Sequence, residues 1–124
     1  MDTATPQKYI LIADDNKLIA KVLSNKLTAA GYSVQVVSNG DETLQALSQR
    51  KPDLLLLDLI MPVKDGFTTL KEIRATPALQ DTRVIVTSDL QQGDDIEKVK
   101  QLGALGIFDK ANLQTIVNQI TQLV

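Results

Sequence analysis

Lys51-Pro52-Asp53-Leu54-Leu55-Leu56-Leu57-Asp58-Leu59-Ile60-Met61-Pro62 is the stretch on which the fold turns. Four consecutive leucines have no period of their own and suit either a helix or a strand buried on both faces. Their shortness, and the breakers Pro52-Asp53 before and Met61-Pro62 after, favour the strand. Tyr9-Ile10-Leu11-Ile12-Ala13 has the same form and is likewise closed by acids, Asp14-Asp15.

Working outward from these two runs, the hydrophobic period switches repeatedly. Leu18, Ile19, Val22, Leu23, Leu27 and Ala30 recur at helical spacing, and Gly31 supplies a stop. Ser33 to Val37 reads as a β-branched strand. After Asn39-Gly40 a helix carries Leu44 and Leu47 on one face and ends near Lys51-Pro52. Phe67, Leu70 and Ile73 give a short amphipathic helix after Asp65-Gly66. Arg83 to Thr87 forms a buried strand around Val84-Ile85-Val86. Asp94 with Glu97 resembles a capping box opening a helix with Ile96, Val99 and Leu102 inward, closed by Gly103. Gly106-Ile107-Phe108 is a last short strand. Asn112 can cap a final helix with Leu113, Ile116, Val117, Ile120 and Leu123 buried. Five strand–helix units predict an α/β, doubly wound parallel sheet with right-handed crossovers. Ligands bind such sheets outside the carboxyl ends of the strands.

The 124 residues suit one domain, here taken as 9–124 behind a tail of residues 1–8. Thirteen Lys and Arg against fifteen Asp and Glu, net −2, leave no basic excess for nucleic acid or an anionic membrane. Cysteine and histidine are both absent. Disulfides, thiol chemistry, a Cys/His zinc site and imidazole catalysis are thereby excluded. The opening Met1-Asp2-Thr3-Ala4-Thr5-Pro6 has neither the basic start nor the apolar stretch of a signal peptide, so a cytoplasmic location is expected.

Acids therefore carry the chemistry. Asp14 and Asp15 end the first strand and Asp58 the third; if those strands are neighbours, three carboxylates meet at one rim. An acid after a strand is commonly a helix N-cap, and Asp15 or Asn16 could serve the first helix that way. Capping explains neither the second acid of the pair nor Asp58. Three close anions repel, and a small hard dication with oxygen ligands, Mg²⁺, is the natural partner. Thr87 and Ser88 bring a hydroxyl to the end of the fourth strand, and Lys110 a cation to the end of the fifth. This set supports phosphoryl transfer with a carboxylate as nucleophile.

Asp14-Asp15, Asp58 with Leu59-Ile60-Met61-Pro62, Asp65-Gly66, Ser88, Gly103-Ala104 and Lys110 together resemble the receiver domain of two-component response regulators, of the chemotaxis-type single-domain kind. The resemblance runs from about Tyr9 to the end of the chain. It implies a flavodoxin-like sheet of order 2-1-3-4-5. It further implies that Asp58 is the phosphoacceptor, Asp15 a direct Mg²⁺ ligand, Asp14 a ligand through water, and the Ile60 backbone carbonyl the third protein ligand. Lys110 then contacts the phosphoryl group. Counting from Asp58 and back from Lys110, the family spacing puts the switch hydroxyl at Ser88, with Thr87 as the alternative one residue away.

Two positions depart from the family pattern. Ala111 stands where proline usually follows the lysine, often in a cis bond. Ile107 stands at the position of the aromatic switch residue, with Phe108 expected on the other face. Ile60 and Leu90, which flank the path of the hydrolytic water in the family, are both apolar, and slow self-dephosphorylation is expected. The implied partners are a sensor histidine kinase or phosphotransfer protein upstream. Because the chain ends at Val124 after the fifth helix, the expected output is contact with a protein. The surface expected for it is the face of the fourth helix, fifth strand and fifth helix, where Gln91, Gln92, Gln101, Gln114, Gln119 and Gln122 lie. No direct nucleic-acid or membrane contact is expected. Of the rivals, a haloacid dehalogenase-type phosphatase needs Asp-x-Asp after its first strand, whereas here the acids are adjacent. A flavodoxin-like FMN binder needs a phosphate loop where Asp14-Asp15 stand. A pseudo-receiver serving only as a docking module keeps the fold and drops the chemistry.

Overall fold

A computed structural model describes residues 7–88 and 93–124, and of 93–95 the backbone alone. Strands and helices alternate: β1 (Tyr9–Ala13), α1 (Lys17–Ala29), β2 (Ser33–Val37), α2 (Gly40–Gln49), β3 (Leu54–Asp58), α3 (Gly66–Ala75), β4 (Val84–Ser88), α4 (Gly93–Gln101), β5 (Gly106–Asp109) and α5 (Leu113–Leu123). The strands form one sheet in the order β2-β1-β3-β4-β5, and every pairing is parallel. The leucine run is thus a strand, fully buried between β1 and β4.

Period-two alternation divides the strand side chains between two cores. Leu11, Leu55, Leu57, Val84 and Val86 pack with Ala46 and Leu47 of α2, Leu70 and Ile73 of α3, and Val99 of α4. Ile10, Ile12, Leu54, Leu56 and Ile85 pack on the opposite face with Ala20, Leu23 and Leu27 of α1, and Ile116, Val117 and Ile120 of α5. Ile107 joins the first core and Phe108 the second, as the alternation predicts.

Local chemistry sets the helix ends. Asn16, Asn39, Asp65 and Asn112 each accept a backbone N–H of the first turn of the following helix. Asn16, not Asp15, caps α1, which leaves both acids of the pair free of that duty. Gly31, at φ 102°, follows α1, and Gly103, at φ 79°, follows α4, both in the region only glycine enters without penalty. The Asp94 cap falls on a side chain outside the described residues. β4 runs one residue farther than its hydropathy suggests. Leu59 N donates to Thr87 O and Lys110 N to Ser88 O, so β3 holds the strand as far as Thr87 and β5 carries the pairing on to Ser88.

At the far end of the sheet Arg74 of α3 ties α4 to β4. Its guanidinium donates to Leu102 O at 2.6 Å and Gly103 O at 3.2 Å after α4, and to Gln80 O at 2.8 Å and Thr82 O at 2.7 Å before β4.

Candidate functional site

Because β1 and β3 are neighbours in register, Ala13 beside Leu57, the acids that close them meet at one rim. Alternation puts Asp14 with Ile10 and Ile12, and Asp58 with Leu54 and Leu56, on the α1–α5 side of the sheet. One carboxylate oxygen from each of Asp14, Asp15 and Asp58 lies within 4.8 Å of the other two. Asp14 and Asp58 are buried, 3% and 2% exposed, while Asp15 opens to solvent.

Lys110 is a buried member of this cluster, 6% exposed, rather than a solvated residue on a loop. Its Nζ donates to Asp14 Oδ1 at 3.1 Å and to Asp58 Oδ2 at 3.0 Å. One ammonium thus bridges the two buried carboxylates, and part of the repulsion read from the sequence is offset by the protein itself. The remaining oxygens are steered by the main chain. Asn16 N donates to Asp14 Oδ1 at 2.8 Å, and Ile60 N to Asp58 Oδ1 at 3.2 Å.

Two carboxylates sharing one cation leave the buried pair a charge short. Burial pushes the Asp58 carboxyl up to about 6, the Asp14 charge adds to the rise, and the Lys110 hydrogen bond only partly opposes them. Burial works against the charged form of Lys110, but hydrogen bonds and charges from Asp58 and Asp14 outweigh it and hold the ammonium above the ordinary lysine value. Carboxylate oxygens so placed, and short of positive charge, fit a hard dication; no soft or imidazole donor competes.

The hydroxyls sit as the alternation dictates. Thr87 is in register with Asp58 and falls on the Ile85 face; Ser88 ends the strand on the face of Val84, Val86 and Ile107. Both are buried. Ala111 has a local explanation. Its N–H, which proline lacks, donates to Asp109 Oδ1 at 2.9 Å, and none of the described peptide bonds is cis. Leu90, Gln91 and Gln92 lie outside the described residues.

Gly66 is the site residue whose role was not readable in the sequence. A Cβ there would run into Asp58 O and lie 2.7 Å from Leu59 Cα, so the first turn of α3 reaches the back of β3 only with glycine. The Asp65-Gly66 pair marks the place in the sequence, but the close approach exists only in three dimensions.

A family model described as the response regulator receiver domain matches residues 10–121. The chain belongs to the response regulator receiver family. The transcriptional regulatory protein BaeR of Escherichia coli is 37% identical over 94 residues, covering 76% of this chain and 38% of BaeR. The chain therefore spans well under half the length of that relative. Among solved structures, the phosphorylated cyanobacterial phytochrome response regulator RcpA superimposes with a TM-score of 0.84 at 30% identity, covering 93% of this chain and 91% of that one. The Mn²⁺-bound response regulator Rcp1 gives 0.83 at 26% identity, covering 91% of both chains. The receiver fold and its sheet order are those expected from the sequence.

Proposed function

We propose that this receiver domain takes a phosphoryl group on Asp58 in a Mg²⁺-dependent reaction and relays the event to a protein partner by a conformational switch. The observation that carries the reading is the buried Asp14–Lys110–Asp58 bridge with Asp15 at its open edge. Asp15, Asp58 and the Ile60 carbonyl are the proposed direct ligands of Mg²⁺, and Asp14 holds it through water. Bound Mg²⁺ supplies charge neutralisation for the phosphate oxygens. An ionised Asp58 oxygen attacks phosphorus; the new P–O bond forms as the bond to the donor's leaving group breaks, and the leaving group departs with the electron pair. Lys110, already on Asp58, passes to a phosphoryl oxygen as charge spreads over that group. The domain thus acts as a signalling phosphoacceptor and catalyses only its own modification.

Ser88 is the proposed switch hydroxyl, since it ends β4 at the rim and its carbonyl already receives Lys110 N. Thr87, bonded through its carbonyl to Leu59, is the register alternative. Receiver domains work with histidine kinases and downstream effectors. The donor proposed here is a histidine kinase or phosphotransfer protein, and the output face is that of α4, β5 and α5. The proposed compartment is the cytoplasm; among the described residues no helix is long and apolar enough to cross a membrane. The similarity to RcpA, solved phosphorylated, and to Rcp1, solved with Mn²⁺, supports the chemistry.

The test is incubation with Mg²⁺ and acetyl phosphate, read by intact mass. The wild type gains one phosphoryl group, and Asp58→Asn gains none. A wild type that stays unlabelled while holding its fold establishes the pseudo-receiver reading instead.

A further inference from the structure

The loop from β3 to α3 carries a strained turn that nothing in the proposed chemistry requires. Val63 sits at φ 68°, the only described residue other than glycine at positive φ. A β-branched side chain is a poor occupant of that region. The turn is closed by Lys64 N donating to Pro62 O at 2.7 Å, a γ-turn centred on Val63. Val63 is 79% exposed, so side-chain packing does not hold it there.

What holds the turn is Lys64. Gly40 N, at the start of α2, donates to Lys64 O at 3.1 Å. Lys64 Nζ lies 2.6 Å from Glu72 Oε1 on α3 and 3.3 Å from Asp41 Oδ1 on α2. The Lys64 side chain as a whole is 22% exposed. The Glu72 hydrogen bond, more than the Asp41 one, keeps its ammonium above the ordinary pKa. Backbone and side chain of one residue thus fasten the middle of the loop to two helices. The ends are fastened as well, by Leu59 N to Thr87 O at 3.1 Å and Gly66 N to Leu59 O at 2.9 Å. Strained residues persist where their surroundings over-determine them, and here the pinned segment is the one that carries Ile60.

We infer that Lys64 is a positioning residue for the cation site: clamped to Asp41 and Glu72, it holds the Val63 turn and so fixes the loop that presents the Ile60 carbonyl beside Asp15 and Asp58. This rests on the Mg²⁺ reading above. Outer partners that orient ligands govern metal affinity without touching the metal.

The experiment is titration of the unphosphorylated full chain with Mg²⁺ alone, by calorimetry, with thermal unfolding recorded for each variant. Lys64→Met weakens Mg²⁺ binding about threefold to tenfold. Lys64→Arg, which keeps the charge, restores it. Val63→Asn in the Lys64→Met background also restores it, because asparagine tolerates positive φ and keeps the turn without the clamp. A purely structural lysine lowers the melting temperature and leaves the affinity alone. Equal affinity in wild type and Lys64→Met overturns the inference, as does a loss that neither Lys64→Arg nor Val63→Asn recovers. A wild type that takes up no Mg²⁺ overturns the metal reading, and this inference with it.

Discussion

At the scale of residues, the site stores electrostatic cost in Asp58. In the unfolded chain its carboxyl titrates near 3.8 and in the fold near 6, so the folded state holds its proton more tightly. The contribution of this group to stability is full below about 4 and is lost as pH rises through 6. Metal-free protein therefore loses stability over that interval, on the order of 1–3 kcal/mol from this group. Asp58→Asn removes the excess anion and leaves Lys110 facing Asp14 alone. Urea unfolding at pH 7.5 without Mg²⁺ should show the variant more stable than wild type, and the gap should close by pH 4. A variant less stable at both pH values refutes the assignment. The acids and the lysine were legible as types and positions in the sequence. That Lys110 is buried across Asp14 and Asp58 was not, because a lysine after a strand is ordinarily solvated and only the neighbouring strands place both carboxylates within its reach.

At the scale of elements, the β3–α3 connection decides how closely α3 approaches and is expected to set how long a phosphoryl group lasts. Ile60 is 59% exposed two residues beyond Asp58, and its side chain offers no hydrogen bond to an attacking water. The phosphorylated protein is expected to hydrolyse slowly, and Ile60→Asn to shorten its lifetime severalfold, measured as loss of the mass shift after donor removal. Unchanged decay in Ile60→Asn, or rapid decay in the wild type, refutes this. Gly66→Ala drives a methyl into Asp58 O, and the collision is with backbone, which cannot swing aside. The variant should lose about 2–4 kcal/mol of stability and phosphorylate poorly even where folded. Denaturant unfolding paired with the acetyl phosphate assay measures both effects. The hydrophobic runs located every strand, and the caps located most helix starts. The end of β4 moved by one residue because pairing with β5, which reaches Ser88, and not hydropathy, terminates the strand.

At the scale of the whole molecule, the sheet order brings the first, third and fifth connections to one edge and thereby makes ligand binding a folding term. Mg²⁺ that binds only the folded chain raises the melting temperature as its concentration passes the dissociation constant, by about 3 kcal/mol of stability at a hundredfold excess. Scanning calorimetry should show this rise in wild type and its loss in Asp15→Asn; an equal rise in both places the cation elsewhere. The sequence alone determined that the chain is an α/β sheet of five strand–helix units and that carboxylates, hydroxyls and a lysine are the groups available to the proposed chemistry. Residue type and period suffice for this, because burial on both faces demands continuous apolar strands, and the absence of cysteine and histidine removes the alternatives. Tertiary structure alone decided which groups touch. It made one ammonium serve two buried acids, made Gly66 obligatory behind Asp58, and pinned Val63 in a left-handed turn through Lys64. Each depends on the separation and angle between elements far apart in the chain, and no local pattern of residues encodes a distance of that kind.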